Sequence, residues 1–123
     1  MERADAPGFW QSVTGSQNAG ESLVHTAIRE VQEETGLDAT CFELRDWVIE
    51  TRYEIYERWR CRYAAGVTHN SEHSFGLCLP EIQPVTLSAR EHLNYAWLPL
   101  QAAAERCFSP SNAAAIRSLP SHL

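Results

Sequence analysis

The sequence predicts an α+β domain in which a mixed β-sheet is sandwiched between helices. Residues 21–35 carry apolar side chains at helical spacing, and residues 41–98 are rich in the aromatic and β-branched runs that are typical of strands. After Pro99 the chain becomes rich in alanine, which favours a closing helix. With 123 residues and neither a repeat nor a linker, the chain fits one domain spanning residues 1–123.

The first predicted element is the helix over residues 21–35, which should end at Gly36 because glycine is a natural C-terminal stop. Glu21 is expected to open this helix, where the helix dipole favours negative charge. The apolar face comprises Leu23, Val24, Ala27, Ile28 and Val31. Gly15 and Gly20 are expected to let the preceding loop turn tightly toward the helix.

Strands are predicted next, followed by a second helix. Four aromatic and β-branched runs supply the strands, at residues 47–51, 53–56, 75–79 and 95–98. Turn-forming residues separate these runs, at Gly66, Asn70, Pro80 and Pro84. The sequence Ser109-Pro110-Ser111-Asn112 is predicted to cap and begin a helix that runs through Leu119.

Composition excludes several partners. The net charge of −6 argues against binding a nucleic-acid backbone, which needs a basic surface. An anionic substrate therefore requires bound cations. The four cysteines form no C-x-x-C pair and no apolar run approaches the roughly 18 residues of a membrane span, so we expect reduced thiols, a cytoplasmic location and no membrane contact. We also expect a monomer.

Three carboxylates mark a candidate metal site. Glu30, Glu33 and Glu34 fall within an arc of about 100° beside the apolar face of the helix. Three glutamates alone are most often a solvated surface, but Glu30 and Glu34 repel each other, and Arg29 is expected to pair with only one of the three, Glu33. Acidic residues without matching cations indicate a divalent metal. Oxygen ligands suit Mg²⁺, with Mn²⁺ as an alternative.

The segment GSQNAGESLVHTAIREVQEETGL, residues 15–37, fits the pattern G-x5-E-x7-R-E-U-x-E-E-x-G-U at all nine specified positions, where U is a bulky aliphatic residue. Chance agreement is on the order of 10⁻⁹ per start position. The chain thus resembles the Nudix hydrolases, which implies a Nudix fold and hydrolysis of a phosphoanhydride by a metal-activated water. By this resemblance Glu30 and Glu34 are the principal metal ligands and Glu33 is a further ligand or positions the water. Together with Arg29 they form the catalytic set, in which the general base stays open.

The flanking sequence resembles the bacterial Nudix subgroup that acts on dihydroneopterin triphosphate, over residues 2–118. This resemblance implies release of pyrophosphate from a pterin triphosphate in folate synthesis. It implies that Glu91 is a further metal ligand outside the motif and that Arg3 neutralises the triphosphate. The full set of implied substrate contacts is Arg3, Thr14, Tyr53, Glu54, Ile55, Tyr56, Glu91 and Ser109.

Other interpretations remain open at the level of sequence. A house-cleaning (deoxy)nucleoside triphosphate diphosphatase, acting for example on dATP, would carry the same motif. A non-catalytic ligand-binding module and an inactive, shortened product are further possibilities. The motif begins at Gly15, earlier than is usual in the family, so the fold is expected to lack the first strand or hairpin and to leave a sheet edge or groove exposed.

Overall fold

The computed structural model describes residues 1–123 and confirms the α+β class. The regular elements are β1 (Glu2–Arg3), α1 (Leu23–Thr35), β2 (Glu43–Glu54), β3 (His69–Cys78), β4 (His92–Asn94), α2 (Leu100–Arg106) and α3 (Pro110–Ser118). Short 3₁₀ turns lie at Ala39–Cys41, Glu57–Arg62 and Leu119–His122. None of the helices combines the length and apolar character needed to span a membrane.

Helix α1 has well-defined caps at both ends. The Ser22 hydroxyl accepts a hydrogen bond from the His25 N–H at 3.3 Å, and the Gly36 N–H donates to the Gln32 carbonyl at 2.9 Å with Gly36 at φ 75°. The predicted stop at Gly36 is confirmed, because a left-handed residue there costs glycine little. The expectation that Glu21 opens the helix was wrong. Ser22 takes the cap position, since its short hydroxyl reaches the third helical N–H.

Strands β2 and β3 form one long antiparallel hairpin, paired from Glu43 opposite Cys78 to Glu54 opposite His69 with one shift of register. The two runs predicted as separate strands at residues 47–51 and 53–56 therefore belong largely to a single strand, and Ile55 and Tyr56 lie beyond its end. Along most of both strands, half-buried residues alternate with exposed ones. This alternation gives the hairpin one inward face and one solvent face.

A bulge interrupts this hairpin between Asp46 and Ile49. Val48 takes a φ of 55° there and is 87% exposed, while its N–H donates to the Asp46 carboxylate at 2.8 Å. The bulge turns the Trp47 indole onto Gly76, where any Cβ would overlap the ring. Trp47 also stacks on His122, with ring centroids 4.2 Å apart, so the bulge fixes the C-terminal turn against the sheet.

A second, short antiparallel sheet joins the N-terminal segment to the region beyond the hairpin. Arg3 of β1 pairs with His92 of β4, and the Ala4 N–H donates to the Glu91 carbonyl at 2.9 Å. The strand predicted at residues 95–98 was wrong, because this segment is irregular and has no strand partner. The Trp97 indole N–H instead donates to the Gln83 carbonyl at 3.0 Å.

Two helices close the chain where one was predicted. Helix α3 begins as expected, with the Ser109 hydroxyl accepting from the Asn112 N–H at 3.4 Å and Pro110 in the first helical position. Helix α2 precedes it and was missed. It has only seven residues and no side-chain cap, so local sequence signals do not mark its start.

The buried interior is unusually polar. Six of the twelve buried residues are apolar: Ala6, Val31, Ala39, Ile55, Ala104 and Ala113. The other six are polar or charged: Gln11, Thr26, Glu34, Thr35, His92 and Asn112. Buried polar groups are costly unless they are hydrogen-bonded or serve a ligand, so this second set directs attention to the region around α1.

Candidate active site

The three glutamates of α1 lie on one side of the helix but differ strongly in burial. Glu34 is 3% exposed, whereas the Glu30 and Glu33 side chains are 13% and 49% exposed. Burial penalises the charged form of a carboxyl group, so the three are not equivalent. Glu34 has the greatest need of a nearby positive charge, and Glu33 keeps its contact with water.

Arg29 holds the acidic side of the helix together. Its guanidinium donates to Glu21 at 2.8 Å, to Glu30 at 2.7 Å and to Glu33 at 3.2 Å. The expectation that it pairs with Glu33 alone was wrong, because the N–H groups of a planar guanidinium fan out to several partners. The Arg29 hydrogen bonds are the chief reason that the pKa of Glu21 falls to about 2. Glu21 therefore positions Arg29.

The loop before α1 lies directly against the carboxylates. A Cβ at Gly15 would overlap the Glu30 carboxyl group, so glycine is required for close approach there. Of the two glycines expected to let the loop turn, only Gly20 takes a positive φ, at 75°. One residue before Gly15, the Thr14 N–H donates to the second carboxylate oxygen of Glu34 at 3.0 Å. The loop thus contributes a backbone N–H that binds Glu34 directly.

Pairing of β1 with β4 brings a further carboxylate to α1. Potential ligand atoms of Glu34, Glu91 and His92 all lie within 4.8 Å of one another. The His92 Nε2 atom is 3.5 Å from Glu34, and its Nδ1 atom is buried with no hydrogen-bond partner. Glu91 therefore lies beside Glu34, and its role as a metal ligand stays a prediction. The sequence interpretation gave His92 no role, and the only sequence signal for one was its position next to Glu91.

Electrostatics at this cluster favour a bound cation. Burial, followed by the charge of Glu30, raises the pKa of Glu34 to about 8. Burial also raises the pKa of Glu30, and it lowers the pKa of His92, so the histidine does not supply a balancing charge at neutral pH. Hard carboxylate oxygens around a desolvated site are the ligands that Mg²⁺ and Mn²⁺ accept. Glu34 and Glu91, with Glu30 acting on Glu34 through its charge, therefore fit a divalent metal centre.

Arg3 connects to this centre through a second residue that the sequence interpretation missed, Gln11. The Arg3 guanidinium donates to the Gln11 side-chain carbonyl at 3.0 Å, and the Gln11 amide lies 3.1 Å from the Thr14 hydroxyl and 3.5 Å from His92 Nε2. Gln11 is 7% exposed, so these contacts are shielded from water. No sequence pattern links Gln11 to His92, because they are 81 positions apart.

The other face of Arg3 belongs to a surface cluster. Its guanidinium makes a bidentate pair with Asp5 at 2.7 and 2.8 Å and lies 4.4 Å above the Trp59 ring. Trp59 in turn packs with Phe9, Tyr56 and Phe108 at centroid distances of 5.6 to 6.3 Å. Arg3 is thus held between an acidic partner, an aromatic wall and the buried Gln11.

The four residues 53–56, which resemblance assigned to substrate contact, do not share one surface. Tyr53 is half-buried, with its hydroxyl 3.3 Å from the Asn70 amide, and Ile55 is 3% exposed and packs in the core. Glu54 points to solvent and pairs with Arg60 at 2.7 Å. Tyr56 joins the aromatic wall beside Arg3. Alternation along the strand separates these side chains, as it must in any extended segment.

Ser109 has a structural task that is independent of substrate. Its hydroxyl caps α3 and lies 3.0 Å from the Ser111 hydroxyl. The next helical residue, Asn112, is buried and exchanges hydrogen bonds of 2.9 Å with the Ser12 N–H and hydroxyl. Since Ser12 lies two residues before Thr14, the start of α3 is tied to the loop that contacts Glu34.

Comparisons with known proteins agree with this geometry. The NUDIX domain family matches residues 1–119. Dihydroneopterin triphosphate diphosphatase of Escherichia coli K12 is 43% identical over 118 residues, which cover 94% of this chain and 77% of that protein. The Haemophilus influenzae protein of the same name is 39% identical over 119 residues, covering 95% of this chain and 74% of that protein.

Solved structures give the same answer. The structure of the E. coli dihydroneopterin triphosphate pyrophosphohydrolase matches with a TM-score of 0.92 and 41% identity, covering 99% of this chain and 84% of that one. A NUDIX hydrolase from Listeria monocytogenes matches with a TM-score of 0.74 and 25% identity, covering 96% of this chain and 77% of that one. The fold is therefore shared with a protein that is only 25% identical to this chain.

Proposed function

This chain belongs to the Nudix family, and we propose on that premise that it hydrolyses dihydroneopterin triphosphate to dihydroneopterin monophosphate and pyrophosphate. The two relatives that carry this activity in their names align with nearly the whole chain. We further propose that it acts as a cytoplasmic monomer on this small molecule, with Mg²⁺ as its metal.

The observation that carries the proposal is a group of three carboxylates, in which Glu91 lies within 4.8 Å of the buried Glu34 beside His92 and the charge of Glu30 acts on Glu34. Two of these carboxylates come from α1 and the third from the segment that β1 holds in position. Such an arrangement is costly for a protein that binds no cation, because like charges at short range repel in a low dielectric. A non-catalytic ligand-binding module has no need of it.

Glu30, Glu34 and Glu91 would hold the metal. When bound, divalent cations lower the pKa of a coordinated water and offset the charge of the phosphates. The residues of the chain supply the rest of the mechanism. Arg29 and the backbone beside Gly15 fix the Glu30 carboxylate, while the Thr14 N–H fixes Glu34. These contacts leave the carboxylates little freedom to reorient.

The other proposed roles follow from exposure and charge. The solvent-accessible Glu33 carboxylate receives the proton of the attacking water, since it is the least desolvated of the three. Arg3 neutralises the pyrophosphate that leaves, and attack occurs in line at the innermost phosphorus. Gln11 holds the Arg3 guanidinium toward the metal side, so leaving-group and metal contacts are linked through buried side chains.

A direct test compares the initial rates for dihydroneopterin triphosphate and dATP with Mg²⁺. We expect a clear preference for the pterin, whereas a preference for dATP would assign the chain to nucleotide house-cleaning. Glu34→Gln should lower kcat by roughly two or more orders of magnitude, since it removes a metal-binding charge. Glu81→Gln, at an exposed loop residue, is the matched control and should match the wild type. Near-normal turnover by the Glu34 variant would contradict the metal role.

A further inference from the structure

Asp5 is a carboxylate that the proposed mechanism does not use, although it binds Arg3 directly. Its side chain is 32% exposed and accepts four hydrogen bonds. The donors are Nε and Nη2 of Arg3 at 2.7 and 2.8 Å, the Trp59 indole N–H at 3.1 Å and Nη2 of Arg62 at 2.8 Å. A carboxylate accepts about four such donors, so the hydrogen-bonding capacity of Asp5 is filled. The Arg3 hydrogen bonds are the chief reason that the pKa of Asp5 lies far below its ordinary value, which keeps this group ionised.

These contacts fix both the position and the plane of the Arg3 guanidinium. Asp5 binds one edge of the planar group through two N–H bonds, and the Gln11 side-chain carbonyl accepts a third from Nη1 at 3.0 Å. The Trp59 ring lies against one face, 4.4 Å from the central carbon of the guanidinium. An arginine held at two edges and one face loses most of the freedom that a long side chain otherwise has.

Asp5 is also the point at which the N-terminal segment joins the turn that carries Trp59 and Arg62. Arg58 of the same turn donates to the Asp5 backbone carbonyl at 3.3 Å, and its guanidinium lies 5.1 Å from the centre of the Trp59 ring. One carboxylate is therefore surrounded by three arginines, in a chain whose net charge is −6. Such a local excess of positive charge favours an anionic ligand.

The Arg3 guanidinium also faces the acidic centre. Three of its five N–H groups bind Asp5 and Gln11, which leaves one on each terminal nitrogen without a protein partner. The Gln11 amide nitrogen lies 3.5 Å from His92 Nε2, and that atom lies 3.5 Å from the Glu34 carboxylate. Direct side-chain contacts thus connect Asp5 to Glu34, and the two remaining N–H groups are donors of the kind that phosphate oxygens accept.

We propose that Asp5 is a positioning residue that holds the Arg3 guanidinium so that its two remaining N–H groups face the phosphates of the substrate and of the pyrophosphate that leaves. This role rests on the proposed function, in which Arg3 neutralises the leaving group. Asp5 itself touches no substrate. A positive charge at position 3 is then insufficient, because its orientation depends on Asp5.

A double-mutant cycle of Asp5→Asn and Arg3→Gln tests this role. The inhibition constants of inorganic pyrophosphate and of dihydroneopterin monophosphate are measured during turnover of the pterin triphosphate at saturating Mg²⁺. Asp5→Asn should raise the constant for pyrophosphate by roughly tenfold, because an amide lacks the charge and has a single acceptor oxygen, and should leave the constant for the monophosphate within about twofold. In the Arg3→Gln background, Asp5→Asn should add less than about twofold, since it acts through Arg3.

Three outcomes of this cycle would overturn the proposal. One is an unchanged constant for pyrophosphate in Asp5→Asn. The second is an equal rise for both inhibitors, which is the result expected of a residue that only stabilises the N-terminal segment. The third is an effect of Asp5→Asn that persists in full when Arg3 is already glutamine.

Two further variants complete the test. Asp38→Asn removes the same charge from an exposed aspartate that caps the 3₁₀ turn Ala39–Cys41, a role that asparagine keeps, and should leave both constants unchanged. Arg3→Lys keeps the charge, but its ammonium cannot bind both Asp5 oxygens and Gln11 together, so its constant for pyrophosphate should approach that of Arg3→Gln. Wild-type inhibition in Arg3→Lys would overturn the proposal even if Asp5→Asn did not fold.

Failure of this role is separable from failure of the proposed function. A wild type that prefers dATP to the pterin would reject the proposed function. Pyrophosphate is also the leaving group when dATP is cut to dAMP, so the same cycle with dATP as substrate and dAMP as the second inhibitor would still decide the role of Asp5.

Discussion

Single residues in this site carry several contacts at once, and Arg29 is the clearest example. Its guanidinium reaches Glu21, Glu30 and Glu33, and it also donates to the Ser16 carbonyl at 2.8 Å. A single planar group therefore connects the loop before α1, the start of the helix and two of its carboxylates. The positive charge alone does not explain this residue, because the geometry of the fork is what joins four acceptors.

Replacing Arg29 with lysine separates charge from geometry. Arg29→Lys keeps the positive charge but offers one ammonium, which cannot reach Glu21 and Glu30 together with the Ser16 carbonyl. We expect kcat for the pterin triphosphate to fall by roughly tenfold or more while the protein stays folded. Steady-state kinetics at saturating Mg²⁺ and circular dichroism provide the measurements. Arg45→Lys, at an exposed pair with Glu43, serves as the control, and kinetics like those of the wild type in Arg29→Lys would refute the geometric role.

At the scale of elements, the position of the loop against α1 decides whether the carboxylates are usable. The loop approaches closely because Gly15 has no side chain, and it contributes the Thr14 N–H to Glu34. The helix supplies the acidic groups, but the loop sets their orientation. Local geometry at one glycine is therefore coupled to the proposed metal site.

The variant Gly15→Ala tests that coupling. The added methyl group overlaps the Glu30 carboxyl, so either the loop or the Glu30 side chain must move. We expect Mg²⁺ affinity, measured by isothermal titration calorimetry, to weaken by roughly tenfold or more, since displaced ligands lose metal affinity. Ser16→Ala changes the neighbouring exposed side chain and should bind Mg²⁺ normally. Unaltered affinity in Gly15→Ala would show that the close approach is unimportant for the metal.

Prediction from sequence succeeded for elements whose signals are local. The Gly36 stop and the Ser109 cap with Pro110 depend on a few adjacent residues, and the structure has both. Long-range pairing was harder, because residues 95–98 have strand-like composition but find no partner strand. The same distinction holds in the site, where the acidic residues of α1 follow from a motif.

The residues that complete the site came from distant parts of the chain. Gln11 and His92 meet because β1 pairs with β4. Strand β1 has only two residues, which is too few to show a strand pattern in the sequence. The differences in burial among Glu30, Glu33 and Glu34 could not be predicted from the sequence either. Helical periodicity gives the side of the helix on which a residue lies, but not how deeply its side chain is buried. Tertiary contacts therefore decide which carboxylate is desolvated.

On the scale of the whole molecule, the chain has an excess of acidic residues, and folding brings some of them close together and away from water. Its net charge is −6, and Glu34 and Glu91 lie close together with no arginine between them. Folding desolvates Glu34 and gives it the Thr14 N–H but no arginine partner. Stability of the metal-free protein should consequently depend on pH, and metal binding should relieve that dependence.

The pKa of Glu34 sets the direction of this dependence. Folding raises it from 4.5 to about 8, chiefly through burial, so the folded state holds a proton that the unfolded state has lost. The contribution of Glu34 to the free energy of unfolding is fully present below the pKa of the unfolded state. It is lost as the pH rises through the pKa of the folded state. The loss is up to about 1.4 kcal/mol per pH unit between the two pKa values. The lowered pKa values of His92 and the Met1 amino group act in the opposite direction, so a comparison with a variant is needed to isolate Glu34.

Glu34→Gln provides that comparison because glutamine cannot ionise and keeps the shape of the side chain. In EDTA, we expect the Tm of the variant to exceed that of the wild type by an amount that grows from about pH 6 to about pH 8.5, at roughly 3–6 °C for each kcal/mol. Mg²⁺ should raise the wild-type Tm more at the higher pH, since it binds the ionised carboxylate, and should barely affect the variant. Scanning calorimetry at matched ionic strength measures both effects. A difference in Tm that stays constant with pH would mean that Glu34 is ionised throughout, and would remove the electrostatic reason for a cation at this position.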